Sequence, residues 1–158
     1  MKKGTVAALS AIIGAVAGAA GSGYLSGKQI EQKAGKVDKF KGYYNMLNQW
    51  LVLKQEGRSL VDYFKSNHYK TIAIYGMGEM GNRLYDELKN SDLEVKYAVD
   101  QNAASTYSEL DVIDKDDEFG SVDVMVITAT FAFDEIEEEI SGKVNFPIIS
   151  LEDVVYEA

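Results

Sequence analysis

The chain is predicted to be of the α/β class, with a small parallel sheet preceded by amphipathic helices and an N-terminal membrane helix. Three observations predict it. From residue 70 onward, short apolar runs alternate with amphipathic helical segments. A glycine-rich turn joins the first of those runs to the first of those helices. Ahead of them, residues 4–27 contain no charge.

Residues 4–27, at about 1.5 Å per residue, are long enough to cross a bilayer core of about 30 Å. Small residues recur at every fourth position, Ser10, Gly14, Gly18 and Ser22, the spacing that lets two membrane helices associate closely. Lys28, Lys33, Lys36, Lys39 and Lys41 outnumber Lys2 and Lys3, which puts the C-terminal part in the cytoplasm. The expectation is a single-pass anchor over 1–27 and a basic juxtamembrane linker over 28–36. The alternative is a secreted chain cut after a signal peptide, since "MKK" and "AGA" suit one.

Residues 37–69 read as an amphipathic helical segment. Val37, Phe40, Tyr44, Leu47 and Leu51 follow alternating steps of three and four, one apolar stripe on a helix. Trp50 and Leu53 widen it, which predicts packing on a domain, and Gly57 ends the helix. A second short helix starts after Ser59, with Asp62 completing a capping box and Asn67 near its end. His68 at the helix exit is expected in a turn, without catalytic partners.

Residues 70–158 form the α/β domain. Strands are expected in "KTIAIYG", "EVKYAVD", "LDVI", "VDVMVITAT" and "FPIIS". The fourth is apolar throughout, as a strand covered on both faces should be. Pro147 falls at the start of the last strand, where a missing N–H is tolerated. Helices are expected over 79–90, over 133–140 and in "LEDVVY", capped by Ser150. Residues 101–109 are too short and polar for a crossover helix and are expected as a loop. Right-handed crossovers then give strand order 3-2-1-4-5, the minimal Rossmann arrangement.

The turn after the first strand carries Gly76-x-Gly78-x-x-Gly81. The first glycine permits a tight turn, the second a close approach by a pyrophosphate, the third close helix–strand packing. Met77, Gly78 and Glu79 would offer backbone N–H groups at a helix N-terminus. Asp100, closing the second strand, is placed to accept from a ribose hydroxyl, favouring NAD over NADP because it repels a 2′-phosphate. Thr128 and Thr130 fall beside the glycine loop and are candidate ligand contacts. Glu79 sets an acid where the phosphate would arrive. It stabilises a first helical turn by about 0.3–1 kcal/mol without any ligand, and its carboxylate either occupies the phosphate's place or swings outward.

The loop resembles two known families. Glutamyl-tRNA reductases have a similar Gly-Glu-Met-Gly stretch in their cofactor loop, so an acid there is compatible with binding; their cysteine chemistry has no counterpart here, because the chain has no cysteine. "IAIYGMGEMGNRLYDEL", "VKYAVD" and "VDVMVITAT" together are more similar to the nucleotide-binding region of bacterial polysaccharide-biosynthesis proteins. That resemblance covers about residues 70–155 and rests on Gly76, Gly78, Gly81 and Asp100. It implies binding of a nucleotide, a nucleotide-sugar or a dinucleotide, and does not identify which; in that group the domain often precedes a catalytic domain, from which this chain is expected to depart.

Charge is unevenly spread: net +5 over 1–41, +2 over 42–70 and −16 over 71–158. The acidic part excludes nucleic acid as a partner, and the basic segment suits an anionic membrane surface. Tyr24 and Lys28 have a reductase-like spacing but fall at the end of the uncharged run. "DKDDE" at 114–118 and "DEIEEE" at 134–139 read as a solvated loop and an exposed helix face, so no metal site is assigned. No residue is assigned a catalytic role, since an oxidoreductase would need a proton donor and a substrate domain. The expected function is membrane-anchored, non-catalytic binding of a nucleotide-containing ligand, accessory to cell-envelope polysaccharide metabolism. The alternative is a protein-interaction scaffold with an empty Rossmann-like shell, recruiting a partner enzyme.

Overall fold

A computed structural model describes residues 35, 37–106 and 108–158. The membrane anchor expected at 4–27, and the small-residue face of Ser10, Gly14, Gly18 and Ser22, lie outside the described residues. Among the described residues, no helix is long and apolar enough to cross a membrane. The chain divides into two compact units, 1–43 and 44–158. Helical backbone covers 37–55 (α1), so the second unit begins within α1.

In the second unit, α2 spans Leu60–Ser66, β1 Thr71–Tyr75, α3 Glu79–Leu88, β2 Glu94–Val99 and β3 Val112–Ile113. They are followed by β4 Val124–Ile127, α4 Phe133–Ile140, β5 Ile148–Ser150 and α5 Leu151–Glu157. The five strands make one sheet, ordered β3-β2-β1-β4-β5, and every pairing is parallel. The fold class and strand order are those the sequence predicts. Among the described residues, the segment between β2 and β3 holds only a short 3-10 turn, Ala103–Ser105.

The sheet is buried on both faces. Ala73, Tyr75, Val99, Met125 and Ile127 pack with Ile136 and Ile140 of α4. Ile72, Ile74, Val124 and Val126 are also fully buried. Helix α3 contacts β1 and β2, and α2 packs against α3 and α5. Burial of this apolar surface, about 25 cal/mol per Å², is the main force holding the layers together.

The cap chemistry agrees with the sequence. Ser59 accepts from Val61 N–H and Asp62 reaches back to Ser59 N–H, a capping box at the start of α2. At its end, His68 N–H donates to Lys65 O and Tyr69 N–H to Phe64 O, at 3.1 and 2.9 Å. That is a Schellman closure, and it puts His68 in the left-handed region, φ 61°, where glycine is usual. Ser150 caps α5 by accepting from Glu152 N–H.

One expectation about α1 holds only in part: Trp50 and Leu53 are buried as expected, but the rest of the stripe is not. Tyr44, Leu47 and Leu51 of the predicted packing stripe are exposed, as are Val37 and Phe40 of the first unit. The buried residues are Met46, Trp50 and Leu53. These also follow helical spacing, so α1 carries two apolar stripes, and the period alone cannot choose between them. What chooses is Glu87 of α3. Its side chain is only 5% exposed and its carboxylate needs donors. Trp50 Nε1 donates to Oε2 at 2.6 Å. Ser59 Oγ and Leu60 N–H donate to Oε1, both at 2.9 Å, and Lys54 Nζ lies 2.8 Å from it. The indole must therefore face inward.

Burial alone would push the Glu87 carboxyl up, but the bonds from Lys54, Leu60, Trp50 and Ser59 together hold it below the usual carboxylate range. A depressed folded pKa contributes stability above the unfolded value, near 4.3, that is lost as pH falls through the lower folded value. Glu87→Gln is expected to cost about 1–3 kcal/mol at neutral pH, because it leaves buried or partly buried donors poorly matched. It should also flatten the acid limb of the stability profile. Urea unfolding followed by the emission of Trp50, the sole tryptophan, between neutral and acid pH checks both.

Candidate functional site

Parallel register sets the site. Tyr75 pairs with Val99 of β2 on one side and Ile127 of β4 on the other. The residues immediately after these three are Gly76, Asp100 and Thr128. They therefore meet at the C-terminal edge of the sheet, where β1 lies between its two neighbours, the usual location of ligands in open α/β sheets.

Gly76 turns the chain at φ 96°. Its N–H donates to Val99 O at 2.8 Å and its carbonyl accepts from Thr128 Oγ1 at 2.7 Å. A Cβ here would stand 2.8 Å from that hydroxyl. Gly81, buried in the first turn of α3, is required more strongly: a Cβ there would collide with the Gly76 carbonyl. The first and third glycines are thus demanded by the fold itself.

Gly78 is different. It is the N-cap of α3, exposed, with φ −72° and no side-chain cap bond. A Cβ would meet nothing within 4 Å. Neither strain nor crowding requires glycine there, and Ser, Thr, Asp or Asn would cap the helix better. Among the described residues, the N–H groups of Gly78, Glu79 and Met80 have no acceptor. Glu79 is exposed, and its carboxylate bonds none of them. The acid leaves the start of α3 without a side-chain cap.

Three other expectations change. Met77 is buried and its N–H is already bound, donating to Asp100 Oδ2 at 2.8 Å. Asp100 Oδ1 accepts from Asn102 N–H at 2.9 Å. Its carboxylate is therefore a latch between the glycine loop and the β2 exit, with only its remaining lone pairs open to a ribose. Thr128, 3% exposed, spends its hydroxyl on the Gly76 and Tyr75 carbonyls and supports the loop from below. Thr130 starts the 3-10 turn Thr130–Ala132 before α4 and is half-buried.

Sequence reasoning missed two residues. Asn82, directly after the third glycine, donates from Nδ2 to the carbonyls of Met77 and Gly78, at 3.0 and 2.9 Å. A short amide one turn beyond the N-cap, able to reach back, was the available signal. Tyr75 ends β1 with its hydroxyl buried and without a hydrogen-bond partner among the described residues. Burial pushes its pKa up, the Glu139 carboxylate adds to the rise, and the Lys115 ammonium pulls the other way.

The acidic runs are engaged elsewhere. Asp114 and Asp117 cap the backbone of their own turn, and Glu139 pairs with Lys115. Among the described residues, no group of three or more acids or histidines could hold a metal ion. No family model, curated protein or solved structure matches the chain.

The asymmetry among the glycines has a direct consequence. Without ligand, Gly78→Ser should stabilise the protein by roughly a few tenths of a kcal/mol as a better cap. Gly81→Ala should destabilise it by about 3 kcal/mol or more, because backbone must move. Chemical denaturation of the two variants beside the parent compares them.

Proposed function

We propose that the chain is a membrane-anchored, non-catalytic binding protein. Its Rossmann-like domain takes a nucleotide, nucleotide-sugar or dinucleotide ligand at the 76–81 loop. Residues 4–27 serve as the anchor, and the 28–41 lysines keep the domain on the cytoplasmic side. The observation that carries the reading is Gly78: a glycine the fold does not need, at a helix N-terminus with no side-chain cap, where a Cβ would meet nothing within 4 Å. A side chain at 78 would cap the helix and block the approach of a phosphate. The resemblance to the nucleotide-binding region of polysaccharide-biosynthesis proteins is in keeping with a nucleotide, nucleotide-sugar or dinucleotide ligand and an accessory role in cell-envelope polysaccharide metabolism.

A second reading is favoured by Asp100. Its carboxylate is turned to Met77 and Asn102 N–H, not left free for a ribose. In that reading the domain is an empty shell that recruits a partner enzyme. If the ligand is a dinucleotide, Asp100 still disfavours a 2′-phosphate, so NAD is preferred to NADP.

Thermal unfolding of the full chain with NAD, NADP, UDP-sugars, ADP and coenzyme A separates the two. A ligand bound only to the native state stabilises by about 2.7 kcal/mol at a hundredfold excess over Kd. The binding reading expects a clear upward shift with one ligand and its loss in Gly78→Val. The scaffold reading expects no shift with any ligand at millimolar concentration, and retention of partners by the variant.

A further inference from the structure

The edge of the sheet opposite the glycine loop holds a second cleft, within the 44–158 unit. Its volume is about 380 Å³, and it is lined by Lys65, His68, Tyr69, Lys70, Asp92 and Leu93. That volume is in the range of small-molecule sites. One wall is the exit of α2, the other the turn from α3 into β2. Backbone hydrogen bonds fix both. Glu94 N–H donates to Lys70 O at 2.9 Å and ties the walls together. The N–H groups of His68, Tyr69 and Lys70 are held by Lys65 O, Phe64 O and Asp123 Oδ2. With these backbone donors spent, a ligand in the cleft is met by side chains.

Two features of the cleft point to an anion. The first is charge. Residues 71–158 carry net −16, yet here two lysines and a histidine meet a single acid, Asp92. Among the described residues, the Lys70 ammonium and the His68 ring make no hydrogen bond or ion pair. Lys65 lies 2.6 Å from Asp92, but the two side chains are 49% and 73% exposed, and an ion pair in solvent is weak enough to exchange partners. Asp123 spends Oδ2 on the N–H groups of Lys70 and Thr71. The second feature is strain. His68 has φ 61°, at a helix exit where glycine is usual. A side chain held where glycine would be relaxed points to a use for that side chain. Half-buried Tyr69 and buried Leu93 add an apolar flank.

We propose that this cleft binds a small phosphate monoester. Lys65, His68 and Lys70 donate to the phosphate oxygens, and the organic part lies against Tyr69 and Leu93. A phosphate suits the cleft better than a carboxylate because it carries about −1.5 to −2 charges at neutral pH and three strong acceptor oxygens, which three nitrogen donors match. Lys65 exchanges Asp92 for the phosphate. The acidic body does not prevent this, since exposed charges more than about 8 Å away are largely screened at physiological salt. The site is independent of the 76–81 loop, which lies at the other edge of the sheet.

The amide ¹⁵N–¹H spectrum of the full chain, titrated with phenyl phosphate, separates this cleft from the glycine loop residue by residue. Saturable shifts are expected at 65–70 and 92–93. Lys70→Gln should weaken the apparent Kd by about tenfold, the loss of one charge-assisted hydrogen bond. His68→Gly should weaken it too while keeping the fold, because glycine suits that backbone. Asp92→Asn removes the acid of the cleft and should tighten binding, an effect that loss of structure would not produce. Shifts confined to 78–80, or an affinity unchanged in both Lys70→Gln and His68→Gly, would overturn the proposal. So would an equal response to acetate, which would leave only non-selective attraction of anions.

Discussion

Helix α3 comes so close to the end of β1 that only glycine fits at position 81, directly over the Gly76 carbonyl. That approach fixes where the helix N-terminus lies. With it fixed, the loop has one path. Gly76 turns at positive φ, Thr128 holds its carbonyl from β4, and Asp100 holds Met77 N–H from β2. Asn82 closes the turn from within the helix. The ends of two strands and one helix thus grip three loop residues, and the groups left over are the N–H donors of 78–80. A loop gripped this way needs little reorganisation on meeting an anion, which is what pre-organisation contributes to affinity.

The same helix organises the other side of the domain through Glu87. Its carboxylate gathers an indole N–H, a hydroxyl, a backbone N–H and an ammonium from α1 and α2. Removing one partner of such a group costs more than the net value of any single bond. The bond to Trp50 also decides which face of α1 is buried, and so leaves Tyr44, Leu47 and Leu51 in solvent. One carboxylate on α3 therefore determines what the domain presents at a distance from its glycine loop.

Much of this was legible in the sequence, because local chemistry and topology agree. Ser59 with Asp62, Ser150, Gly57 and Pro147 each mark an element end by a specific backbone requirement, and the alternation of strand and helix dictates the sheet order. The loop was legible in position but not in wiring. Spacing brings Asp100 and Thr128 to the site, but whether an oxygen faces the ligand or the backbone depends on sub-ångström distances that spacing does not encode. Asp100 and Thr128 both turned to the backbone, and Glu79 left the start of α3 without a side-chain cap. The facing of α1 was not legible for a different reason. Two apolar stripes share one helix, and the choice between them rests on a residue 37 positions from Trp50 in the chain. Long-range polar partners of this kind leave no periodic trace.

In the proposed function, the N–H groups of 78–80 receive a phosphate. The most direct measurement is the amide ¹⁵N–¹H spectrum of the protein during titration with NAD and with a UDP-sugar. The account predicts saturable shifts concentrated at Gly78, Glu79 and Met80, with Met77 little moved because Asp100 already holds its N–H. Unmoved signals at 78–80 at millimolar ligand, or shifts confined to residues far from the C-terminal edge of β1, would contradict it.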